Sequence, residues 1–273
     1  MPKSAHLSRL YQVDDQGNFT QLENAGKVLY SGMMLTRSLL MSSNYAYLFK
    51  SLTIATRYAL IRKQFKTSEG DEIRIFDYKM QKEKLFSEMA KAYAMSTANF
   101  FCKNLLYENI RRCGKNDFSL LQKIHITLAG YKALFTWYNS KGQLRLLQAC
   151  GGHGYLDYSG IGPILRDVVP DTILEGENSV LILQVSRALL KAFQWINSGK
   201  ADRVSEDLAY LKGHDELREW QPDVSDLERR EGLIRIFQKI TAFCTADAAM
   251  FMFTKISEGT DPKSVRKEQS EPK

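Results

Sequence analysis

The sequence predicts an all-α protein: a helical bundle of long antiparallel helices with a short β remnant at the N-terminus. Three observations predict it. Long proline-free stretches carry apolar residues at helical spacing, short polar or glycine-bearing breaks separate them, and there is no internal repeat or low-complexity block to suggest another architecture. The 273 residues are 44% hydrophobic and 25% charged, enough apolar matter for a core in an ordinary soluble chain. Lys and Arg alternate with Asp and Glu almost throughout, so the net charge of +7 forms no stripe of the kind that tracks nucleic acid. A mildly positive protein suits a small anionic ligand equally well.

Up to about Leu22 the chain reads as a turn-rich remnant, with Asp14, Asp15, Gln16, Gly17 and Asn18 supplying hairpin chemistry. From Val28 to about Arg62 no proline occurs and apolar residues such as Leu29, Met33, Leu35, Leu39 and Leu60 crowd nearly every face, which predicts a helix covered by neighbours. Asp77 is positioned to cap a second long helix containing Leu85, Met89, Tyr93, Phe100 and Leu106, with Gly114 to end it. A third helix is expected from about Ser119 to Tyr138. Glycines and prolines then break the pattern at Gly151, Gly152, Gly154, Gly160, Gly162, Pro163 and Pro170, predicting a loop-rich stretch. A fourth helix follows from near Asn178 to Gly199. Ser225 with Glu228 has capping-box spacing for a last helix through Leu233, Ile240 and Phe251, stopped by Gly259 and Pro262.

The cysteines Cys102, Cys113, Cys150 and Cys244 form no CxxC pair and stand beside no histidine at zinc-ligand spacing, so neither a disulfide framework nor a metal site is expected. No apolar leader follows Met1, and the best apolar stretch, Ile240 to Phe253, is interrupted by Asp247, so no membrane span is expected.

Three segments carry chemistry. Arg57 to Phe65 ends the first long helix in cations, which suits either the helix dipole or a bound anion. In Gln148-Ala149-Cys150-Gly151-Gly152-His153-Gly154-Tyr155, three glycines in four positions permit a tight interhelical turn or close backbone approach to a ligand, and His153 by itself reads as a hydrogen-bonded loop residue. In Thr172-Ile173-Leu174-Glu175-Gly176-Glu177-Asn178 a carboxylate precedes a helix. It either caps that helix or, desolvated by Ile173 and Leu174, becomes a base. Glu175 and Glu177 are two apart and do not share a helical face.

In this order the segments, joined by Ile75-Phe76-Asp77-Tyr78 with Gln81 and Lys84-Leu85-Phe86, resemble the acyl-CoA oxidases, relatives of the acyl-CoA dehydrogenases, from about His6 onward. The Cys-Gly-Gly-His-Gly-Tyr form points to the oxidase branch. The resemblance implies FAD-dependent α,β-dehydrogenation of a fatty acyl-CoA to the trans-2-enoyl-CoA, with O2 reduced to H2O2. It makes Glu175 the catalytic base, places Arg62, Gln64, Phe65, Gln148, Gly151 and Gly152 on the ADP part of FAD bound mainly by a partner subunit, and sets Arg37 near the substrate. It further implies at least a homodimer and a peroxisomal address, although Ser270-Glu271-Pro272-Lys273 is not the Ser-Lys-Leu type of signal.

Against the family's pattern, residues 1–25 are expected to be a remnant of the β domain that cradles the flavin ring. Residues 26–199 would form the helical C-terminal domain and 200–273 part of a second helical domain, so the chain would be a piece of a longer enzyme. Two alternatives are a dehydrogenase that uses another electron acceptor and a noncatalytic helical module that associates with a full-length oxidase.

Overall fold

The computed structural model describes residues 10–21 and 23–260; the start of the N-terminal remnant, residue 22, Pro262 and Ser270 to Lys273 lie outside the described residues. The expected remnant is an antiparallel hairpin of β1 (Tyr11–Val13) and β2 (Phe19–Gln21), with Tyr11 opposite Gln21. Asp14 builds its turn by accepting the backbone N–H groups of Gln16 at 2.9 Å and Asn18 at 2.8 Å.

The chain divides into two compact units, the first ending at Leu181. The core of the first unit lies among three long helices, α1 (Ala25–Ile61), α2 (Lys79–Cys113) and α3 (Leu121–Ala149). Side-chain pairs fix their directions. Tyr30–His125, Asn44–Asn139 and Tyr58–His153 share one sequence offset, so α1 runs parallel to α3. Ser31–Asn109 and Ser42–Asn99 pair in the opposite sense, so α2 runs antiparallel to α1. Met34, Met41, Leu48, Leu52 and Ala55 form the buried face of α1. The expectation that α1 is covered on every side is not met: Leu29, Met33, Leu35, Leu39 and Leu60 face solvent, because α2 and α3 pack along only part of its circumference.

The basic run at the end of α1 is not all helical. After Ile61 the chain extends through Arg62 into an antiparallel hairpin, β3 (Lys63–Lys66) and β4 (Glu72–Arg74), that the sequence did not announce. Nor does Asp77 cap α2. It ends a 3-10 turn and pairs with Arg74 at 3.1 Å, while Tyr78 stands at the N-cap with extended backbone and no side-chain cap. Gly114 ends α2 as expected.

α3 continues eleven residues past the predicted end at Tyr138. Asn139, Gly142 and Gln143, which look like a break, are buried. Gly142 lets α1 and α2 side chains approach closely there: a Cβ would stand 2.6 Å from Glu88 Oε2 and 2.9 Å from Leu48 Cδ1, and both side-chain ends would have to shift. The glycine-rich stretch also folds more than expected: α4 (Gly152–Tyr155) is one turn, and α5 (Ile161–Val168) follows after a 3-10 turn. A further 3-10 turn, Pro170–Thr172, leads to α6 (Asn178–Asn197).

The second unit, from Ile182, holds the rest of α6, then α7 (His214–Glu219), α8 (Val224–Glu228) and α9 (Arg230–Ser257), with Ala192, Val204, Leu211, Leu217 and Ala242 at its centre. The capping box is Asp223 with Asp226, not Ser225 with Glu228. It starts only α8, because Arg229 adopts extended backbone and breaks the expected single helix. No helix among the described residues is long and apolar enough to cross a membrane.

One surface of α2 is unusual. Between Phe86 and Tyr107 every exposed residue is uncharged, and Phe86, Tyr93, Phe100 and Tyr107 recur every seven residues, each more than half exposed.

Candidate active site

The turn before α6 is held by two cations from different helices. Glu175 and Gly176 both have positive φ, 56° and 111°. For a glutamate this left-handed conformation costs about 1–3 kcal/mol and persists only where the surroundings enforce it. Arg37 of α1, 3% exposed, donates from Nε to the Glu175 carbonyl at 3.0 Å. Lys132 of α3, fully buried, donates from Nζ to the Gly176 carbonyl at 2.7 Å and to Asn178 Oδ1 at 3.0 Å. Asn178 is held in turn, donating to Thr136 Oγ1 at 2.9 Å and to the Ala133 carbonyl at 3.3 Å. Gly176 admits the close approach of Leu181, whose Cδ2 would lie 2.8 Å from an added Cβ.

The two carboxylates separate by role. Glu177 caps α6: it accepts the Val180 N–H at 3.1 Å and the Ser179 hydroxyl at 3.1 Å, and the backbone N–H groups of Ser179 and Val180 hold it below the usual carboxylate range. Glu175 is half-buried, and its carboxylate makes no hydrogen bond or ion pair among the described residues. The apolar lead-in does not enclose it here. Ile173 is 64% and Leu174 53% exposed, so the desolvation expected from them is not supplied by this turn.

Around the clamp is a polar cluster that sequence reasoning did not find. His125 Nδ1 lies 2.5 Å from Tyr30 Oη and 3.2 Å from an Arg37 guanidinium nitrogen. Burial lowers the Arg37 pKa, opposed by Tyr30 and Glu175, and raises that of Tyr30, opposed by Arg37. Burial pushes Lys132 down to about 8, with Asp171 opposing it most. Asp171 itself is raised by burial, against the hydrogen bond from Asn44. Asn44 donates to Asp171 at 2.7 Å, Asn139 to Asn44 at 2.9 Å and Gln143 to Asn139 at 2.8 Å, a buried ladder between α1 and α3. A lone lysine on a long helix reads as solvated, so no sequence signal marked Lys132, and Asn178 was read only as the start of a helix.

The other candidate residues gather elsewhere. Arg62, Gln64 and Phe65 are exposed; the Ile75 N–H donates to the Arg62 carbonyl at 2.9 Å and the Tyr78 hydroxyl to the Gln64 carbonyl at 3.0 Å. Phe65 also has positive φ, 64°, at a bulge in β3. Beside this hairpin the end of α3 presents exposed Gln148, Gly151 and Gly152, tied to α2 by Gln81, which donates to the Ala149 carbonyl at 2.8 Å. The backbone of Gly151, φ 60° and ψ −145°, is open essentially to glycine only. Gly152 faces open space, whereas a Cβ on Gly154 would lie 2.1 Å from the Leu147 carbonyl oxygen. His153 pairs with Tyr58 at 3.1 Å and is the hydrogen-bonded residue it was read to be. Burial pushes the Cys150 thiol up to about 11, which leaves it protonated and inert at neutral pH.

The candidate residues therefore fall into two groups, Glu175 with Arg37 on one side and Arg62 to Phe65 and Gln148 to Gly152 on the other. Arg37 lies on α1 and Arg62 just past its end, 25 positions on. At ~1.5 Å per residue that is about 37 Å.

Residues 30–190 match the family model for the acyl-CoA oxidase C-alpha1 domain. Peroxisomal acyl-coenzyme A oxidase 1 of Rattus norvegicus is 32% identical over 266 residues, which are 94% of this chain and 40% of that protein. Among solved structures, Arabidopsis thaliana acyl-CoA oxidase 1 aligns with TM-score 0.90 and 28% identity over 99% of this chain and 41% of its own. Acyl-CoA oxidase-2 of Caenorhabditis elegans, bound with FAD, ascaroside-CoA and ATP, aligns with TM-score 0.89 and 25% identity over 99% of this chain and 40% of its own. The chain thus spans about two-fifths of the length of these relatives. By the matched domain and the shared fold, it belongs to the acyl-CoA oxidase family.

Proposed function

We propose that this chain is the helical part of an acyl-CoA oxidase that converts a fatty acyl-CoA to its trans-2-enoyl-CoA, and that Glu175 is the base. The observation that carries the proposal is the turn itself. Of two neighbouring carboxylates, Glu177 is committed to a helix terminus, while Glu175 is held by its backbone in a strained conformation that leaves its side chain uncommitted. In this reading the Glu175 carboxylate takes the α-proton of the thioester, and the electron pair released forms the α,β double bond as hydride leaves the β-carbon. Arg37 fixes the Glu175 main chain and stands on the substrate side.

The residues of the other site fit the ADP end of FAD. Arg62 brings a cation, Gly151 and Gly152 let the backbone approach a pyrophosphate, and the space beside Gly152 is open. Gln64, Phe65 and Gln148 complete that surface. When bound, FAD supplies the acceptor for the β-hydride and the route of two electrons to O2, giving H2O2. The separation of about 37 Å along α1 favours a homodimer in which each flavin site draws on both subunits. A peroxisomal location is proposed from the relatives' names.

Replacing Glu175 with Gln keeps shape and removes basicity, so turnover should fall at least ~10³-fold with flavin content unchanged. Retained turnover would remove Glu175 from this role. The exposure of Ile173 and Leu174 favours a second reading, a noncatalytic helical module that pairs with a complete oxidase. A purified chain that binds flavin and forms peroxide from an acyl-CoA would refute that reading.

A further inference from the structure

The Glu175 turn has two supports of different chemistry. Arg37 holds the first carbonyl, at 3.0 Å, and Lys132 the second, at 2.7 Å. Two successive left-handed residues expose two successive carbonyls to the bundle interior, and each meets a buried cation. The Lys132 ammonium bridges from the Gly176 carbonyl to Asn178 Oδ1, so one nitrogen ties the turn to the first residue of α6 and both to the middle of α3. Charges reach this ammonium from three places: Asp171 on the 3-10 turn, Arg37 on α1, and Glu175 and Glu177 on the two sides of Gly176. None of these carboxylates is within ion-pair distance, so the nearest partners of the ammonium are neutral oxygens of the turn.

We propose that Lys132 is a positioning residue: by holding the Gly176 carbonyl and the Asn178 amide oxygen, its buried ammonium fixes the left-handed Glu175–Gly176 turn and with it the direction of the Glu175 carboxylate. The catalytic consequence rests on the reading of Glu175 as base; the hold on the turn does not. Two hydrogen bonds from a buried lysine also explain why a long, costly side chain occupies a position that an aliphatic residue would fill without desolvating a charge.

The test is native-state amide exchange on the full chain, wild type against Lys132→Met and Lys132→Arg. In Lys132→Met, residues 174–179 should exchange at least ~10-fold faster, while the buried amides of α1 to α3 change less than ~3-fold. Lys132→Arg, which keeps a charged donor, should recover part of the protection. Equal exchange of residues 174–179 in wild type and Lys132→Met overturns the proposal.

If Lys132→Met does not fold, the wild-type chain labelled with 15N-lysine decides. A slowly exchanging Lys132 ammonium signal supports the hold, and one exchanging as fast as the surface lysines refutes it. In a preparation that turns over acyl-CoA, Lys132→Met should lower kcat at least ~10-fold with KM within ~2-fold, and Lys132→Arg should restore part of kcat. A merely structural lysine would not split the two constants. If Glu175→Gln leaves turnover intact, the base reading falls while the exchange data still decide what Lys132 holds.

Discussion

Gly152 and Gly154 are two residues apart and answer to different demands. Gly154 is packed against the end of α3, so Gly154→Ala should destabilise the fold by about 1–3 kcal/mol or more, read as a lower urea midpoint. Gly152 faces open space, so Gly152→Ala should change stability by less than about 0.5 kcal/mol and lower flavin content instead. Equal effects of the two on folding would mean that the loop is structural throughout. Lys132 yields a prediction of a different kind. Its amine is pushed down to about 8 in the fold and returns toward 10.5 in the unfolded chain. Between those values the unfolded state binds more protons, so stability should rise with pH across that window, by on the order of 3 kcal/mol in full. Denaturation near pH 7.5 and near pH 10 should show a gain in wild type that is absent from Lys132→Met, and identical pH slopes would contradict it. The turn that carries Glu175 was legible as the approach to a helix because its motif is contiguous in the chain, while the role of base came only through resemblance. Arg37 was reached only through resemblance, and Lys132 not at all, because the contacts that define them come from residues 138 and 44 positions away.

Elements were legible where apolar periodicity and glycine punctuation agreed. The end of α2 at Gly114 and the hairpin of β1 and β2 were read directly. The end of α3 was misread because Asn139, Gly142 and Gln143 look like a break to any local rule, whereas tertiary contact with α1 and α2 makes a small residue and buried amides the better fit there. The β3–β4 hairpin escaped notice because Lys63–Lys66 is exposed throughout and, apart from Phe65, polar, with no alternation to betray a strand. At the start of α6, Glu177 carries a prediction. Its folded pKa is depressed by the N–H groups it accepts, so its contribution is present above the usual carboxylate value and lost as pH falls through the lower folded one. Glu177→Gln should therefore lower the Tm at neutral pH and have little effect at strongly acidic pH. A pH-independent loss would assign its effect to packing.

At the scale of the whole molecule, the distance between the Glu175 and Arg62 sites makes subunit exchange informative. In the proposed homodimer with shared sites, mixing Glu175→Gln with Arg62→Ala subunits, each expected to be inactive alone, should return about a quarter of wild-type turnover, since half of random dimers are mixed and each mixed dimer has one intact site of two. No recovery would place both residues in the same subunit's site. The aromatic face of α2 has another consequence. Between Phe86 and Tyr107 the helix presents rings to water at every seventh position with no charge among its exposed residues, on a chain whose net charge of +7 adds a repulsion between assemblies. Sulfate both screens that repulsion and strengthens the withdrawal of apolar surface from water. Its solubility should accordingly fall as salt is added, as for an oil and unlike a protein held together by ion pairs.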